Sequence, residues 1–453
     1  LAAVFGRDSS EQRRFQYHPH LPGRMTAHHY AGREPVSYVY NNDGKVIEQH
    51  RPGLLSYRFN YQADSTVVTD SLGRTRTYHF KGKEGLRRVV KLEHADGSIT
   101  QSRFDASGRL VASIDALGRE TGYQLDVATG NLCVIALPDG TQIQQDYNTQ
   151  GQVVHRVLAN GFSEYIRYDP LGRPVASTNA LGQTTRLHYA SDTADRPSII
   201  EDAQGGKKHL VWTAMAHLAR FTDCSGHTTH YRYDRWGQQI QTKGEEGQQT
   251  SFEYDRQGRL VAQTNAANQS TRYAYNPAGD LTAITAPDGN AVRFDRDALG
   301  RLRMYHYGDS LGLTQQYEFD NADHHIKHTN EKDAHTTFAY DSMNRLIDQI
   351  NFDGRTQRYA YDAAGRLTQT NDAGQPSRLH YDKGDRLVLR EVGDATNPYQ
   401  EHFEYTRDGS MKKAWHRTEL WGNTISVEFE RDALGRITRE TQLVIDAQGT
   451  EAW

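Results

Sequence analysis

The sequence predicts an all-β protein, a long antiparallel β-meander of roughly 21-residue repeats coiled into a hollow shell, or cocoon. Three observations lead to this prediction: a motif that recurs along most of the chain, turn-forming residues every eight to twelve positions, and a low apolar content. A fixed period of this length indicates one supersecondary unit copied along an array, not a set of unrelated domains.

The recurring motif has the form aromatic-Asp-x-x-Gly-Arg-Leu. Clear copies begin at Phe104, Tyr254 and Tyr361, and looser copies lie between them. The Asp position recurs at spacings of 20 to 23 residues, except for one gap of 44 residues before Asp234. The residues expected to define the repeat structurally are Tyr168, Asp169, Gly172, Tyr254, Asp255, Gly258, Tyr340, Asp341, Tyr361, Asp362 and Gly365.

Each Asp-x-x-Gly segment predicts a tight turn, because Asp can bond the backbone two residues on and Gly can adopt a positive φ. Three copies have Asp323, Asn344 or Asp385 in place of Gly. Asn and Asp are the non-Gly residues that best tolerate the left-handed region, so the same conformation is predicted there. Gly258→Val should therefore cost about 1–3 kcal/mol of stability, and Gly258→Asn much less.

A second turn signal follows about ten residues after the first, as at residues 179–182, 287–289, 352–354 and 371–374. Runs of six or seven alternating residues, such as 259–264 and 270–275, lie between the two kinds of turn. This spacing predicts antiparallel strands joined by hairpins. A single turn near residues 9–15 is the one candidate for helix.

Aromatic residues precede the motif Asp in 11 of 13 copies, with Leu125 and Arg296 as the departures. A second aromatic often stands two residues earlier, as Tyr273 does before Tyr275. Positions i and i+2 share one face of a strand, so stacked repeats are predicted to form a ladder of rings. Such a ladder could pack the repeats together or serve as a platform for carbohydrate.

The composition favours a sheet that is wet over much of its area. Hydrophobic residues make up 36% of the 453 residues, and charged residues 24%, which is not the signature of disorder. Roughly 40 strands at about 4.8 Å each give a sheet on the order of 200 Å long. Such a sheet should curl, and one turn of it would have a diameter of roughly 60 Å, enough for a small folded domain.

Charge and cysteine content exclude several classes of protein. The net charge is −4 with both signs interleaved, so no nucleic-acid binding is predicted for this region. Cys133 and Cys224 cannot form a disulfide framework. No signal peptide or transmembrane run is found in the sequence. Because the chain begins at Leu1 and stops at Trp453 within a strand-like stretch, we expect a piece of a longer protein.

No catalytic, cofactor-binding or metal-binding residues are predicted. Residues 308–312 match the G-x-S-x-G pattern around Ser310, but a strand-like run follows where a nucleophile elbow needs a helix, so a hairpin loop is predicted. Two histidine clusters lack the spacing of metal ligands and are interpreted as alternating residues on exposed strands or as a tag-like coincidence. Their members are His324, His325, His328 and His335, and His18, His20, His28 and His29.

The motif copies resemble the Rhs family of YD-repeat proteins. Residues 115–119, 168–173 and 432–436 are typical of bacterial members, and the match covers roughly residues 36 to 440. Residues 51–57 and 70–74 resemble the front of the Rhs core. We therefore expect degenerate repeats at the start of the core in residues 1–100, continuous with a regular β-shell in residues 101–453.

The resemblance implies a closed, hollow shell that houses a C-terminal toxin of the same parent protein until delivery, commonly by type VI secretion through a PAAR or VgrG-type spike. It implies a protein held in the bacterial cytoplasm and then secreted into a target cell. The family's self-cleavage stretch, its spike-like region and its toxin domain are not found in this sequence, so no enzymatic role is expected for this region.

Two other functions remain open from the sequence. A surface adhesin or carbohydrate-binding module would use the aromatic ladder, and loss of glycan binding on mutating Tyr273 and Tyr275 to Ala would favour it. A hydrolase would use Ser310, and labelling of Ser310 by an activity-based serine probe would favour that function.

Overall fold

The computed structural model shows one antiparallel sheet of 41 strands. It describes residues 2–83, 85–308, 312–393, 399–417, 423–446 and 448, and no helix occurs among them. The predicted all-β meander is confirmed, as is the estimate of roughly 40 strands. The loop around Ser310 lies outside the described residues.

The strands follow one another in chain order. The first fourteen are β1 (Ala3–Phe5), β2 (Glu11–Tyr17), β3 (Met25–Tyr30), β4 (Val36–Tyr40), β5 (Val46–His50), β6 (Tyr57–Tyr61), β7 (Ser65–Asp70), β8 (Thr75–Lys81), β9 (Arg88–Glu93), β10 (Ile99–Phe104), β11 (Leu110–Ile114), β12 (Glu120–Leu125), β13 (Leu132–Ala136) and β14 (Gln142–Tyr147). The next fourteen are β15 (Val153–Val157), β16 (Ser163–Tyr168), β17 (Pro174–Thr178), β18 (Thr184–His188), β19 (Ile199–Glu201), β20 (Lys207–Trp212), β21 (Leu218–Thr222), β22 (Thr228–Tyr233), β23 (Gln239–Lys243), β24 (Gln249–Tyr254), β25 (Leu260–Thr264), β26 (Ser270–Tyr275), β27 (Leu281–Thr285) and β28 (Ala291–Arg296). The last thirteen are β29 (Leu302–Tyr307), β30 (Leu313–Phe319), β31 (His325–Thr329), β32 (His335–Tyr340), β33 (Leu346–Ile350), β34 (Thr356–Tyr361), β35 (Leu367–Asp372), β36 (Gln375–Tyr381), β37 (Leu387–Val392), β38 (Tyr399–Tyr405), β39 (Met411–Arg417), β40 (Thr424–Arg431) and β41 (Ile437–Ile445).

Each repeat contributes two strands, and chain neighbours pair with each other. A motif turn joins β24 to β25, and the register shifts by a β-bulge between Glu253 and Tyr254, directly before the turn. The same bulge precedes Tyr361. Such a bulge adds local twist to a sheet. At the ends, β1 pairs with β2 and β41 with β40, so the described part of the sheet is open and not closed.

The turns at both edges of the sheet share one hydrogen-bond pattern. At the motif turn of Asp255, the Gly258 N–H donates to the Asp255 carbonyl at 3.0 Å, and the Asp255 N–H donates to the Arg259 carbonyl at 2.9 Å. The second kind of turn, called the return turn below, repeats these bonds at residues 179–183. This is a type I turn closed by a left-handed residue, a common three-residue hairpin loop.

The left-handed position is held by Gly or by its predicted substitutes. Gly258 has a φ of 89°, and Asp323, Asn344 and Asp385 have φ values of 68°, 66° and 64°. The prediction that backbone conformation is kept where Gly is absent is therefore confirmed. Ala216 also stands in this position with a φ of 61°, which is a strained choice for a residue with a Cβ and no polar side chain.

Ala216 belongs to a repeat that the motif search passed over, in the gap of 44 residues before Asp234. Trp212 takes the aromatic position there, and Thr213 takes the place of Asp. The Thr213 hydroxyl accepts the His217 N–H at 3.1 Å, as a motif Asp would. Trp followed by Thr was the signal in the sequence that could have identified this repeat.

Burial shows that the sheet is not built around an apolar core. In β26, Tyr273 and Tyr275 are half-buried while Arg272 and Ala274 are exposed, which is the alternation expected of a strand. Among the described residues, the buried apolar side chains are only Ala27, Ala112, Ala176, Ala262 and Ala291. The accessible surface is 27736 Å², whereas a compact protein of this mass would expose about 17,000 Å².

Contacts divide the chain into two compact units. Unit 1 comprises Leu1–Thr77, Lys207–Asn344 and Gln349–Gly354, and unit 2 comprises Tyr78–Gly206, Arg345–Asp348 and Arg355–Trp453. Each unit therefore contains an early stretch of the sheet and a stretch from much later in the chain. The expected change from degenerate to regular repeats near residue 100 stays a prediction.

The suggested helical turn near residues 9–15 is wrong. Ser9 has a φ of 63° and ends a turn, and Glu11–Tyr17 then forms β2. Arg13 of this strand pairs with Tyr30 of β3. Pairing with a neighbouring strand decides the conformation here, because short segments follow tertiary context more than local preference.

Gly365 offers a clean test of the turn geometry. It has a φ of +86°, and an added side chain would meet nothing within 4 Å. Gly365→Val should cost about 1–3 kcal/mol of unfolding free energy, because a β-branched residue is strained there. Gly365→Asn should cost much less, since Asn344 adopts this conformation. Urea unfolding compares the two variants.

Gly258 is a poorer place for this test than the sequence indicates. A Cβ on Gly258 would lie 2.9 Å from Cζ of Arg7, so Asn as well as Val would displace that side chain. As a control of opposite sign, Ala216→Gly should stabilise the protein by roughly 1 kcal/mol. Equal destabilisation by Val and Asn at Gly365 would contradict the turn assignment.

Candidate functional site

The predicted repeat residues lie at the motif turns, where each Asp carboxylate organises its own turn. Oδ1 of Asp255 accepts the N–H groups of Gln257 and Arg259 at 2.8 and 2.9 Å. Oδ2 accepts Nε of Arg259 at 2.6 Å. The carboxylate therefore fixes the turn backbone and holds the motif Arg at the same time.

These bonds keep the carboxylates ionised. Partial burial raises the pKa of Asp255, but hydrogen bonds from the backbone and guanidinium of Arg259 outweigh it, so the pKa lies below its ordinary value of 3.8. For Asp362, burial raises the pKa and the hydrogen bonds from Arg366 lower it, and the pKa is again below its ordinary value. In both turns burial is the largest single effect on the pKa, but the hydrogen bonds to the charged form and the Arg charge together outweigh it.

The motif Arg, to which the sequence analysis gave no role, joins one repeat to the next. Nη1 of Arg259 donates to the carbonyl of Asn276 at 3.0 Å, and its guanidinium lies 4.8 Å from the ring centroid of Tyr275. Equivalent Arg-on-Tyr contacts are Arg173 on Tyr189, Arg345 on Tyr361 and Arg366 on Tyr381, at 4.3, 5.1 and 4.9 Å. The fixed place of Arg in the motif was the signal that could have predicted this contact.

The hydroxyl of the motif Tyr forms a second link between repeats. Tyr254 donates to the carbonyl of Gln239 at 2.9 Å, and Tyr361 donates to that of Leu346 at 2.8 Å. Each acceptor is the first residue of the neighbouring strand, just after the preceding motif turn. We call this bond the tyrosine staple. It is formed at 2.7–3.1 Å by Tyr40, Tyr61, Tyr147, Tyr168, Tyr189, Tyr233, Tyr254, Tyr275, Tyr340, Tyr361, Tyr381 and Tyr405.

Arg296, a departure in sequence, makes the same link with different chemistry. Its Nε donates to the carbonyl of Leu281 at 3.0 Å, 15 residues earlier as in most staples. Phe104, Leu125 and Phe319 stand in the same position but have no donor group, so these repeats lack a staple.

Among the described residues, the motif tyrosines of consecutive repeats do not stack on one another, so the predicted ladder of rings is not formed there. Equivalent strands of consecutive repeats lie two strands apart, about 9.6 Å, which is too far for ring contact. A cation or an imidazole fills the space instead. His217 stacks on Tyr233 at 4.8 Å, and His324 stacks on Tyr340 at 4.3 Å.

His324, His325 and His328 of one cluster belong to this packing and are not exposed as predicted, whereas His335 of the same cluster is exposed. His324 occupies the position of the motif Arg, with Nδ1 2.9 Å from Oδ2 of Asp320. His325 lies 5.0 Å from the ring of Phe338 and is half-buried, and burial lowers its pKa. Within the described ranges, no group of three or more His, Cys, Asp or Glu side chains could hold a metal ion.

In unit 1, return turns of the early stretch contact motif turns of the later stretch. Nη2 of Arg33 lies 2.5 Å from Oδ1 of Asp280, and these side chains are 23% and 17% exposed. Nη1 of Arg74 donates to Oδ1 of Asn344 at 2.6 Å. Asn344 therefore combines the left-handed backbone of the turn with a side-chain acceptor, which Gly does not have.

Unit 2 repeats this arrangement with its own residues. Arg119 of a return turn pairs with Asp385 of a motif turn, and Asp139 lies 3.6 Å from the guanidinium of Arg386. Nδ2 of Asn160 donates to Oδ2 of Asp408 at 3.2 Å. In each unit, stretches of the sheet that are far apart in sequence are therefore joined through the polar side chains of their turns.

Comparison with protein families gives two matches. The Teneurin YD-shell family matches residues 198–306 and 304–445, more than half of the chain. The RHS Repeat family matches residues 104–142. The described residues contain no helix of the length and apolar character that crossing a membrane requires.

Several bacterial toxins are similar in sequence. Toxin protein Tse5 of Pseudomonas aeruginosa is 34% identical over 230 residues, which cover 50% of this chain and 17% of that protein. Double-stranded DNA deaminase toxin A of Burkholderia cenocepacia is 26% identical, over 48% of this chain and 18% of that protein. Probable deoxyribonuclease RhsB of Dickeya dadantii is 27% identical, over 49% and 15%. The matches span less than a fifth of each of these relatives.

Solved structures share the fold. The crystal structure of TcdB2-TccC3-TEV superposes on 99% of this chain and 29% of that chain, with a TM-score of 0.65 at 14% identity. The Tc holotoxin pore of Photorhabdus luminescens gives a TM-score of 0.63 at 15% identity, over 99% and 30%. At these identities the similarity concerns the fold alone.

Removal of one staple should weaken the link between two repeats. Tyr254→Phe deletes the donor to the Gln239 carbonyl, and we expect a loss of about 0.5–1.5 kcal/mol. Hydrogen exchange measured by mass spectrometry should show faster exchange in β23 and β24, because damage in a repeat array stays near its origin.

The matched experiment is the reverse substitution, which adds a tyrosine hydroxyl where a repeat lacks one. Phe319→Tyr places a hydroxyl opposite the carbonyl of Leu302, the first residue of β29 and 17 residues earlier, where a staple is missing. We expect a gain of up to roughly 1 kcal/mol and slower exchange in β29 and β30. A loss of stability in Phe319→Tyr would contradict the geometry of the staple.

The carboxylate and its Arg predict a defined dependence on pH. Asp362→Asn keeps the turn bonds, as Asn148 does in its own turn, but loses the pair with Arg366 at 2.7 Å. We expect a cost of roughly 0.5–1 kcal/mol near neutral pH.

This cost should disappear in acid. The pKa of Asp362 is lower in the folded than in the unfolded protein, so its stabilisation is present above the ordinary aspartate pKa of 3.8 and is lost as pH falls through the lowered value. Urea unfolding of both proteins between about pH 6 and pH 2.5 measures the difference. A difference that stays constant over this range would contradict the ion pair.

Proposed function

The chain belongs to the Rhs family of YD-repeat shell proteins, and from that membership we propose that it forms part of a hollow shell enclosing a toxin. The observation that carries this proposal is the one-layer sheet held together by contacts between repeats. A sheet without a thick apolar core gives much surface for its mass, 27736 Å² here, which suits a wall better than a solid body.

The toxin is proposed to be a C-terminal domain of the same parent polypeptide. Three relatives carry toxin or deoxyribonuclease in their names, and this chain matches less than a fifth of each. We assign no enzymatic role to the present region, whose motif carboxylates are committed to turns and ion pairs. Delivery by type VI secretion through a PAAR or VgrG-type partner, from the bacterial cytoplasm into a target cell, completes the proposal.

A carbohydrate-binding module is the less favoured alternative. The hydroxyl of Tyr275 is bonded to the Leu260 carbonyl at 2.8 Å, and the Arg259 guanidinium covers its ring. A sugar platform needs an accessible ring face, and the Arg259 guanidinium occupies one face of this half-buried tyrosine. Mutation of Tyr273 and Tyr275 to Ala would also remove a staple, so loss of glycan binding in that variant would not separate binding from folding.

Limited proteolysis of the intact parent protein tests enclosure. The toxin region should be cleaved more slowly by at least about tenfold within the parent than as an isolated domain, because a protease cannot reach an enclosed chain. Denaturing the shell with urea before protease is added should abolish this protection. Equal cleavage of the enclosed and isolated toxin would refute the proposal, as would electron micrographs of a filled globule.

A further inference from the structure

A basic cleft lies beside one repeat of unit 2. It has a volume of about 940 Å³ and opens beside β8, β9 and β10. Its basic lining residues are His79, Lys81, Lys83, Arg88, Lys91 and Arg103. Leu86, Val90 and Phe104 supply apolar surface within the same cleft.

The cleft lies where a staple is missing. A tyrosine at position 104 would reach the carbonyl of Val89, 15 residues earlier, as in the stapled repeats. Phe104 has no donor, and β9 pairs with β10 from Lys91 to Glu93, the same three-residue ladder as in the stapled β23–β24 pair. Val89 and Val90 are therefore not bridged to the end of β10 by a hydroxyl. Leu125 leaves the next repeat without a staple too.

The charge of the cleft is opposite to that of the chain. Among its described lining residues, five Lys and Arg side chains face one carboxylate, Asp105, whereas the whole chain has a net charge of −4. Asp105 is held by Arg109 at 2.7 Å, Lys91 pairs with Glu93 at 2.7 Å, and Arg103 pairs with Glu120. Lys81, Lys83 and Arg88 are exposed, and no ion pair with another described residue is found for them.

We propose that this cleft binds an acidic, extended peptide segment in which acidic residues alternate with apolar ones. Its volume lies in the range of clefts that enclose small ligands or short peptides. In an extended peptide, alternate side chains point to opposite sides. Carboxylates can then meet Lys81, Lys83 and Arg88 while apolar side chains cover Leu86 and Phe104. A polyanion without apolar groups would leave that surface exposed. This site is independent of the enclosure of a toxin.

Fluorescence anisotropy with a labelled peptide of alternating Glu and Leu tests the proposal on the full chain. The double variant Lys81→Glu/Arg88→Glu should bind the peptide at least roughly tenfold more weakly. The control Arg232→Glu/Arg272→Glu makes the same change in charge at exposed strand positions of unit 1 and should bind within about twofold of the unaltered chain. Circular dichroism checks that both variants keep their β structure.

Phe104→Tyr gives a second, charge-neutral variant. Its hydroxyl should form the missing staple to Val89 and narrow the cleft, so the protein should become more stable while peptide affinity falls. Absence of peptide binding, or equal weakening by the control pair, would overturn the proposal. So would equal binding of a Lys and Leu peptide, or tighter binding of inorganic polyphosphate or single-stranded DNA than of the acidic peptide.

Discussion

The motif carboxylate is the group on which the rest of this structure depends. With one oxygen it caps the backbone of its own turn, and with the other it fixes the motif Arg. The Arg can then reach the carbonyl and the aromatic ring of the next repeat. Because a one-layer sheet buries almost no large apolar side chains, this chain of polar contacts takes over much of the cohesion that a core gives to a globular domain.

Substitutions at the repeat positions preserve contacts more faithfully than residue types. Arg296 replaces a motif tyrosine and still donates to a carbonyl 15 residues earlier. His324 replaces a motif Arg, pairs with Asp320 and stacks on Tyr340. Asn344 replaces Gly, keeps the left-handed backbone and accepts a bond from Arg74. These replacements preserve the contacts and backbone of the repeat because the positions require a hydrogen-bond donor, a planar side chain that can pair and stack, or a residue that tolerates positive φ. None of these positions requires one particular amino acid.

The same logic identifies the places where the lattice is incomplete. Phe104 cannot form a staple, and a cleft with mostly basic charged side chains lies beside it. A repeat protein in which units contact mainly their neighbours can tolerate such a defect locally, because the loss does not spread through a shared core. A repeat array can thus differ in one repeat without weakening the others.

The sequence alone determined the all-β class, the number of strands and the conformation of the turns. Period, turn residues and alternation are local properties, so Gly258, Asn344 and Asp385 could be assigned to one conformation from their place in the repeat. Only the tertiary structure decided what the side chains between repeats do. The predicted ladder of rings does not form because equivalent strands of consecutive repeats lie too far apart for ring contact. Arg and His side chains occupy the space between the tyrosine rings instead. The contacts between Arg33 and Asp280, or Arg119 and Asp385, join turns about 250 residues apart or more. No local pattern specifies such partners, because they depend on the path of the chain over many repeats.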